Sequence, residues 1–327
     1  MKDIKPNLGK SFVGGWSSVV RYPAFGAIVA FTLLFGFFSI IAPDFLSLTT
    51  LTGILSLVAE IGIIAIGEAF LIISGEFDLS VGGVYAIAGF LFVVLANLMP
   101  SILALIITLT FCGLIGFING VITMKVTIPS FITTLGMLML TRGSLLGFTR
   151  GSSVTYSSDK FVPMILSNDL GYGIRPSHIW LIVLTVIFTI ILTNTRYGNW
   201  TFSSGGNANV ARTLGIEVER VKIKNFMISS AMAGFAGIIA MSRFKFANAS
   251  FGTGYELEAI TAAVIGGVYL FGGYGTVIGA VLGAGMMAII RFGLVLVGVP
   301  GYSYQAFIGG VLIIAAIINL RIRRIFS

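Results

Sequence analysis

The sequence predicts an all-α polytopic membrane protein of about ten transmembrane helices, and three observations carry that prediction. Hydrophobic residues fill 57% of the 327 positions and charged residues only 10%, whereas soluble domains carry roughly 25% charge. The mean hydropathy is +1.03. Apolar runs long enough to span a bilayer recur along the chain, since about 20 helical residues cross a hydrocarbon core of roughly 30 Å. Alternating apolar and polar segments of the barrel type are absent, which argues against an outer-membrane barrel.

Residues 1–23 are polar and basic with no apolar core, so a cytoplasmic segment is expected there and not a cleaved signal. "GKS" at 9–11 resembles the end of a phosphate-binding loop, but Ile4 stands where that motif needs Gly. Nucleotide hydrolysis is therefore expected on another chain. A single transmembrane domain follows over 24–320. Its spans are placed at 24–43, 51–74, 78–98, 101–123, 129–148, 178–195, 223–243, 257–270, 276–297 and 301–320. The eighth is too short to cross alone. Cys112 lies inside an apolar run, which argues against a disulfide or a thiol metal site. His178, at the start of the sixth span, reads as an interfacial residue.

Charge sets the orientation, because Lys and Arg concentrate in cytoplasmic loops. With the N-terminus inside, 13 of the 20 basic residues collect on the inner side, including the tail 321–327. The net charge of +8 is then a topology signal, and nucleic acid is not an expected partner. Five spans starting inside followed by five starting outside make the halves inverted repeats. "GGVY" occurs in both halves, at 82–85 and 266–269, and Gly-rich interrupted helices in corresponding places often build translocation pathways. Close packing of crowded helices explains the repeat as well.

Two connections exceed a simple turn. The outer one, 149–177, could cover an entrance or dock an external protein through Arg150, Lys160 and Arg175; a solvated loop is the plain alternative. The inner one, 196–224, contains "NANVARTLGI", which reads as a short helix with Asn207 as N-cap and Gly215 as its stop. Ala208, Ala211 and Leu214 are spaced to share a face. So short a helix is marginal alone, which points to a knob presented to a groove on another protein. Between the second and third spans, Asp78 precedes "LSVGGVYAIAGF" in a helix-cap position, where free amides and the helix dipole favour a carboxylate. Contact with a cytoplasmic partner or with cargo is the other reading of Asp78.

"GEFDLSVGGVYAIAG", "GGNANVARTLGIEVERVKI" and "GYELEAITAAVIGGVYLFGGYGTVIGAVLGA" together resemble the membrane permeases of ABC importers. The resemblance is to the monosaccharide permeases of the ribose, xylose, arabinose and galactose type, within the branched-chain-amino-acid/ribose permease superfamily, and covers about 45–320. It implies a permease of the inner membrane that pairs with a second copy or a close relative. The pair would rest on two ATP-binding domains carrying the ATP and Mg, with no cofactor on this chain, and would receive sugar from an extracytoplasmic binding protein. Gly206, Asn207, Ala211, Leu214 and Gly215 match the family's coupling helix. Glu76 replaces a Gly in a motif that usually reads Gly-Gly-Ile-Asp-Leu-Ser, and Glu68 stands where the family more often has a neutral residue. The cargo stays open among sugars, nucleosides, a furanosyl signal molecule and branched-chain amino acids. The ten-span inverted arrangement resembles that of the vitamin B12 and iron-chelate importers.

Ionisable residues within a membrane are costly and point to function. Glu60 and Glu68 on the second span are expected to pair with Arg142 and Arg291, to line a sugar path, or to carry protons in an ion-coupled carrier. Asn97, Asn119, Thr133 and Thr134 are further polar candidates, each with a packing role as the plainer reading. Neither a His-rich metal set nor paired acids suggest an enzyme.

Overall fold

The computed structural model describes residues 23–159 and 161–326; the N-terminal segment with its "GKS", and Lys160, lie outside the described residues, as do the tail's side chains. Helices occupy the apolar segments predicted from the sequence, with shifted ends. They run α1 Pro23–Ile41, α2 Leu48–Ile73, α3 Val81–Ala96, α4 Ser101–Lys125 and α5 Ser130–Thr149. After β1 Val154–Thr155 come α6 Phe161–Leu166, α7 Pro176–Asn194, α8 Arg196–Gly206, α9 Ala208–Thr213 and α10 Val218–Phe244. β2 Phe246–Ala247 then precedes α11 Tyr255–Ile265, α12 Val277–Leu296 and α13 Tyr304–Phe326. Among the described residues, six helices (α2, α4, α5, α7, α10 and α12) are long and apolar enough to cross a membrane. Local chemistry sets several ends. The Ser47 hydroxyl accepts the Thr50 amide ahead of α2, Thr276 caps α12 at the Gly279 amide, and Pro100 and Pro129 stand immediately before α4 and α5.

α2 and α10 form the centre. From Ala59 to Ile73 every residue of α2 is buried, and α2 packs on α10, α12 and α11, while α10 packs on α4, α2 and α3. Small residues permit the close approach: at Gly120 a Cβ would lie 2.8 Å from the Ile223 Cα, and at Gly67 it would lie 2.7 Å from the Ser229 Cα. In α4, α5 and α7, by contrast, much of the apolar surface faces outward, as at Ile106, Leu140 and Ile182. Such a surface suits lipid and not water.

Contacts gather the connections at two ends. At one, Gly205 and Gly273 meet Ile73, which brings together 74–80, 195–217 and 266–276; at the other, the β1–β2 pair, Asn97 and Ser101 bring together 97–100, 150–175 and 245–254, and Thr253 and Gly254 share a cavity with Gly301 and Tyr302. Three sequence readings change. The eighth helix stops at Ile265, and its expected remainder is a glycine-rich link with Gly272 at φ 83° and Gly273 at φ 82°. A helix, α8, precedes the short helix in a stretch read as loop. α10 begins at Val218, so Lys222 and Lys224 lie within it.

The long connection 150–175 is built onto the bundle. β1 pairs antiparallel with β2, Val154 opposite Ala247. Asn97, one of the pathway or structural polar candidates, is exposed at the end of α3, its amide donating to the Thr155 carbonyl at 2.9 Å and its oxygen accepting the Ser157 amide at 2.9 Å. Asp159 accepts the Ser101 amide at 2.9 Å and the Ser101 hydroxyl at 2.5 Å. These bonds hold the Asp159 carboxyl below the usual aspartate range. The charged form is the anchored form, so the anchor is complete above about pH 4 and is lost as pH falls through the lowered value. Hydrogen-exchange protection of amides 154–162, corrected for intrinsic rate, is expected to stay level from pH 7 to 5 and to collapse below about pH 4. A decline already complete at pH 6 would mean that another group holds the loop.

Candidate functional site

Two buried polar clusters and one exposed helix stand out. The first cluster lies towards the end that carries 150–175 and balances three acids against three arginines. Glu60, 1% exposed, pairs with Arg243 at 2.5 Å, and its Oε2 accepts the Tyr85 hydroxyl at 2.9 Å and the Tyr255 hydroxyl at 3.5 Å. Glu258, also 1% exposed, pairs with Arg291 at 2.6 Å and accepts the Tyr304 hydroxyl at 3.3 Å. The Arg291 guanidinium lies over the Tyr304 ring at 4.4 Å and the Tyr255 ring at 5.6 Å, so Tyr255 joins the two ion pairs. Arg142 donates to three carbonyls, Ala249 at 2.8 Å, Phe251 at 2.7 Å and Gly82 at 3.0 Å. The Glu256 carboxylate fills the space that a side chain at Gly82 would need, and its Oε2 is buried without a hydrogen-bond partner.

The expected partners therefore change. Neither Arg142 nor Arg291 pairs with Glu60 or Glu68. Arg142 is taken by backbone and Arg291 by Glu258, while Glu60 takes Arg243. Arg243 occupies the last turn of α10, and that helix faces α2. Sequence reasoning also passed over Glu256, Glu258 and the three tyrosines. A signal was present: "YELEA" repeats the acid, one apolar residue, acid spacing of "GEFDL".

The second cluster lies towards the opposite end. The Glu68 Oε1 accepts the Ser229 hydroxyl at 2.9 Å, and its Oε2 faces the Asp78 amide at 3.4 Å. Asp78 is fully buried and accepts the Ser80 amide at 2.7 Å and the Ser230 hydroxyl at 3.3 Å. It is not the helix cap. Ser80 occupies that position, two residues on, and Asp78 instead closes a turn between α2 and α3. The Asn119 amide donates to the Ser80 hydroxyl at 2.9 Å. Among the described residues no Lys or Arg forms an ion pair with Glu68 or Asp78.

The exposed helix is α9. Asn207 caps it, its Oδ1 accepting the amides of Asn209 and Val210 at 3.1 Å, and Gly215 at φ 81° turns the chain away in a conformation that favours glycine. Its faces differ from the expected one. Ala211 is buried against the chain itself, while Val210 and Leu214 stand out at 52% and 73% exposure. Arg212 grips Glu219 at 2.7 Å, fastening α9 to α10. At the base of this unit Lys222 pairs with Glu76 at 2.7 Å, both largely shielded. Of the external candidates, Arg150 is exposed, and Arg175 donates to the Ser167 carbonyl at 2.6 Å.

Comparison with known proteins follows the same lines. The family described as branched-chain amino acid transport system / permease component matches residues 50–316. The ribose import permease protein of Escherichia coli strain K12 is 32% identical over 300 residues, 89% of this chain and 92% of its own length. The xylose/arabinose import permease protein of Sulfolobus acidocaldarius is 33% identical over 320 residues, covering 94% and 87%. The autoinducer 2 import system permease protein of Photorhabdus luminescens is 34% identical over 295 residues, covering 89% and 88%. No solved structure matches. These relatives are named as transporter permeases and not as enzymes. A helical chain of apolar spans, matched over most of its length, belongs to the family of branched-chain amino acid transport system permease components.

Proposed function

We propose that this chain is the membrane permease subunit of an ATP-driven ABC importer, and that its cargo is a monosaccharide handed over by an extracytoplasmic binding protein. The observation that carries the reading is α9, a capped and clamped helix that presents Val210 and Leu214 to solvent at one end of an apolar bundle. Apolar side chains held rigidly in water have no reason of their own to be there, and a groove on an ATP-binding subunit supplies one. The cargo follows the printed names of the ribose and xylose/arabinose relatives. The autoinducer 2 relative supports a second cargo, a furanosyl signal molecule.

In this reading the ten spans of the inner membrane are built on α1 to α5, α7 and α10 to α13, with both termini cytoplasmic; α11, of 11 residues, is too short to cross alone and is completed by the glycine-rich link that follows it. Two five-helix halves are related by inversion. Exchange of packing partners supports the repeat: α10 rests on α4 and α3 of the first half as α2 rests on α12 and α11 of the second. A second permease copy and lipid would cover the outward apolar faces of α4, α5 and α7. ATP and Mg on the partner subunits supply the hydrolysis that drives the cycle. This chain's part is to receive a displacement at α9, pass it to α2 and α10, and change which end of the bundle is open. Leu214→Asp places a charge in the groove contact and is expected to abolish cargo-stimulated ATPase and co-purification of the ATP-binding subunit, with membrane insertion intact. Unchanged stimulation would remove α9 from the coupling role.

A further inference from the structure

We propose that the cavity of about 290 Å³ between α11, α12 and the 301–308 segment is a subsite for one uncharged, polyhydroxylated ring, and that its lining rejects branched-chain amino acids. The inference rests on the importer reading and deepens it, naming where in this chain cargo is read and by what chemistry. Ligand pockets run from about 300 Å³ upward, so the space suits a single sugar ring and excludes a disaccharide.

Charge and hydrogen-bonding capacity then select the class. Glu258 and Arg291 face the cavity as a pair 2.6 Å apart. A cargo of net charge that approached one member would meet the like charge of the other, which favours a ligand without net charge. A carboxylate accepts at about four sites and a guanidinium donates from five N–H groups. Glu258 receives Arg291 and the Tyr304 hydroxyl, which leaves capacity of both kinds. Hydroxyl groups, which donate and accept, match that mixture. Thr253 and Gln305 add further polar groups at the rim. The guanidinium is held over the Tyr304 ring at 4.4 Å and by Glu258 at 2.6 Å, so it is positioned before cargo arrives. Among the described residues Ile308 is the only aliphatic side chain in the lining. Even with its charged ends on the ion pair, a branched-chain amino acid would lay its aliphatic side chain against Thr253 and Gln305 and leave them unpaired, an error that sites built for hydroxyls punish strongly. The cavity opens at the end that carries 150–175, where the proposed topology puts the arriving cargo.

The test uses the full-length chain in nanodiscs and saturation-transfer NMR with D-ribose, D-xylose and L-leucine as probes. Both sugars should receive saturation and L-leucine should not. Gln305→Ala and Thr253→Val, at exposed rim positions, should each weaken sugar binding by about tenfold, as expected for one lost hydrogen bond. Glu258→Gln should weaken it further, with the circular dichroism spectrum reporting that the helices persist. Equal sugar binding in wild type and both rim variants would overturn the subsite, as would L-leucine displacing D-ribose. ATP-driven uptake into native membrane vesicles separates the two readings. Sugar uptake that is normal in both rim variants would overturn the subsite and leave the importer standing. Sugar binding lost in the variants, with no ATP-driven uptake by wild type, would support the subsite and overturn the importer.

Discussion

Arg243→Met is expected to destabilise the chain by about 3–5 kcal/mol, the cost of stranding one charge of a buried ion pair. Glu60 is 1% exposed and pairs with Arg243 at 2.5 Å; the methionine can occupy the volume but cannot answer the charge. The tyrosine hydroxyls of Tyr85 and Tyr255 would remain, two neutral donors for a full carboxylate. Because Glu60 belongs to α2 and Arg243 to α10, the loss falls on the central contact of the molecule. The double variant with Glu60→Gln should recover a large part of the loss, since an amide carries no charge to strand. Reversible denaturant titration in mixed micelles measures both. Equal stability of Arg243→Met and wild type would show that the pair contributes nothing to the packed state.

Gly205→Ala is expected to reduce the cargo-stimulated ATPase of the assembled importer at least about tenfold, the effect of roughly 1.4 kcal/mol placed on one of two coupled states. Three connections meet at the α9 end of the bundle, backbone against backbone. The Gly273 amide donates to the Ile73 carbonyl at 2.7 Å. A Cβ on Gly205 would overlap that carbonyl and lie 2.8 Å from the Gly273 nitrogen, and one on Gly272 would lie 2.9 Å from the Gly75 Cα. No flexible side chain is present at Gly205 to yield, and overpacking of this kind costs about 1–3 kcal/mol. The contact joins the segment leading into α9 to the end of α2 and to the α11–α12 link, so a displacement of α9 reaches both halves through it. Gly206→Ala supplies the control, because its Cβ would meet only the Gly273 Cα at 3.9 Å, an ordinary contact. Indistinguishable ATPase in the two variants would show that the junction transmits nothing.

How much of this was legible in the sequence differs from element to element. The apolar segments were, because a helix that must satisfy its own backbone bonds in lipid announces itself by composition alone. The short helix at Asn207 was also legible, since an Asn cap and a left-handed Gly stop act within a few residues. The helix Arg196–Gly206 was missed because its polar, Gly-ending sequence carries no membrane signal. The partners of Glu60 and Glu68 were misassigned for a related reason: spacing along one helix tells which residues share a face, not which helix lies opposite.

The sequence by itself determined the apolar spans and the three motifs that tie the chain to its family. Each of these is set by local composition or by short-range backbone chemistry. Only the tertiary structure decided that Glu60 meets Arg243, that Glu258 and Arg291 border a cavity, that Asp78 lies beside Glu68 and not on a helix end, and that Leu214 and not Ala211 faces outward. Those are contacts between residues up to 183 positions apart, as with Glu60 and Arg243. They depend on which ridges of α2 and α10 interlock, and no run of neighbouring residues encodes that.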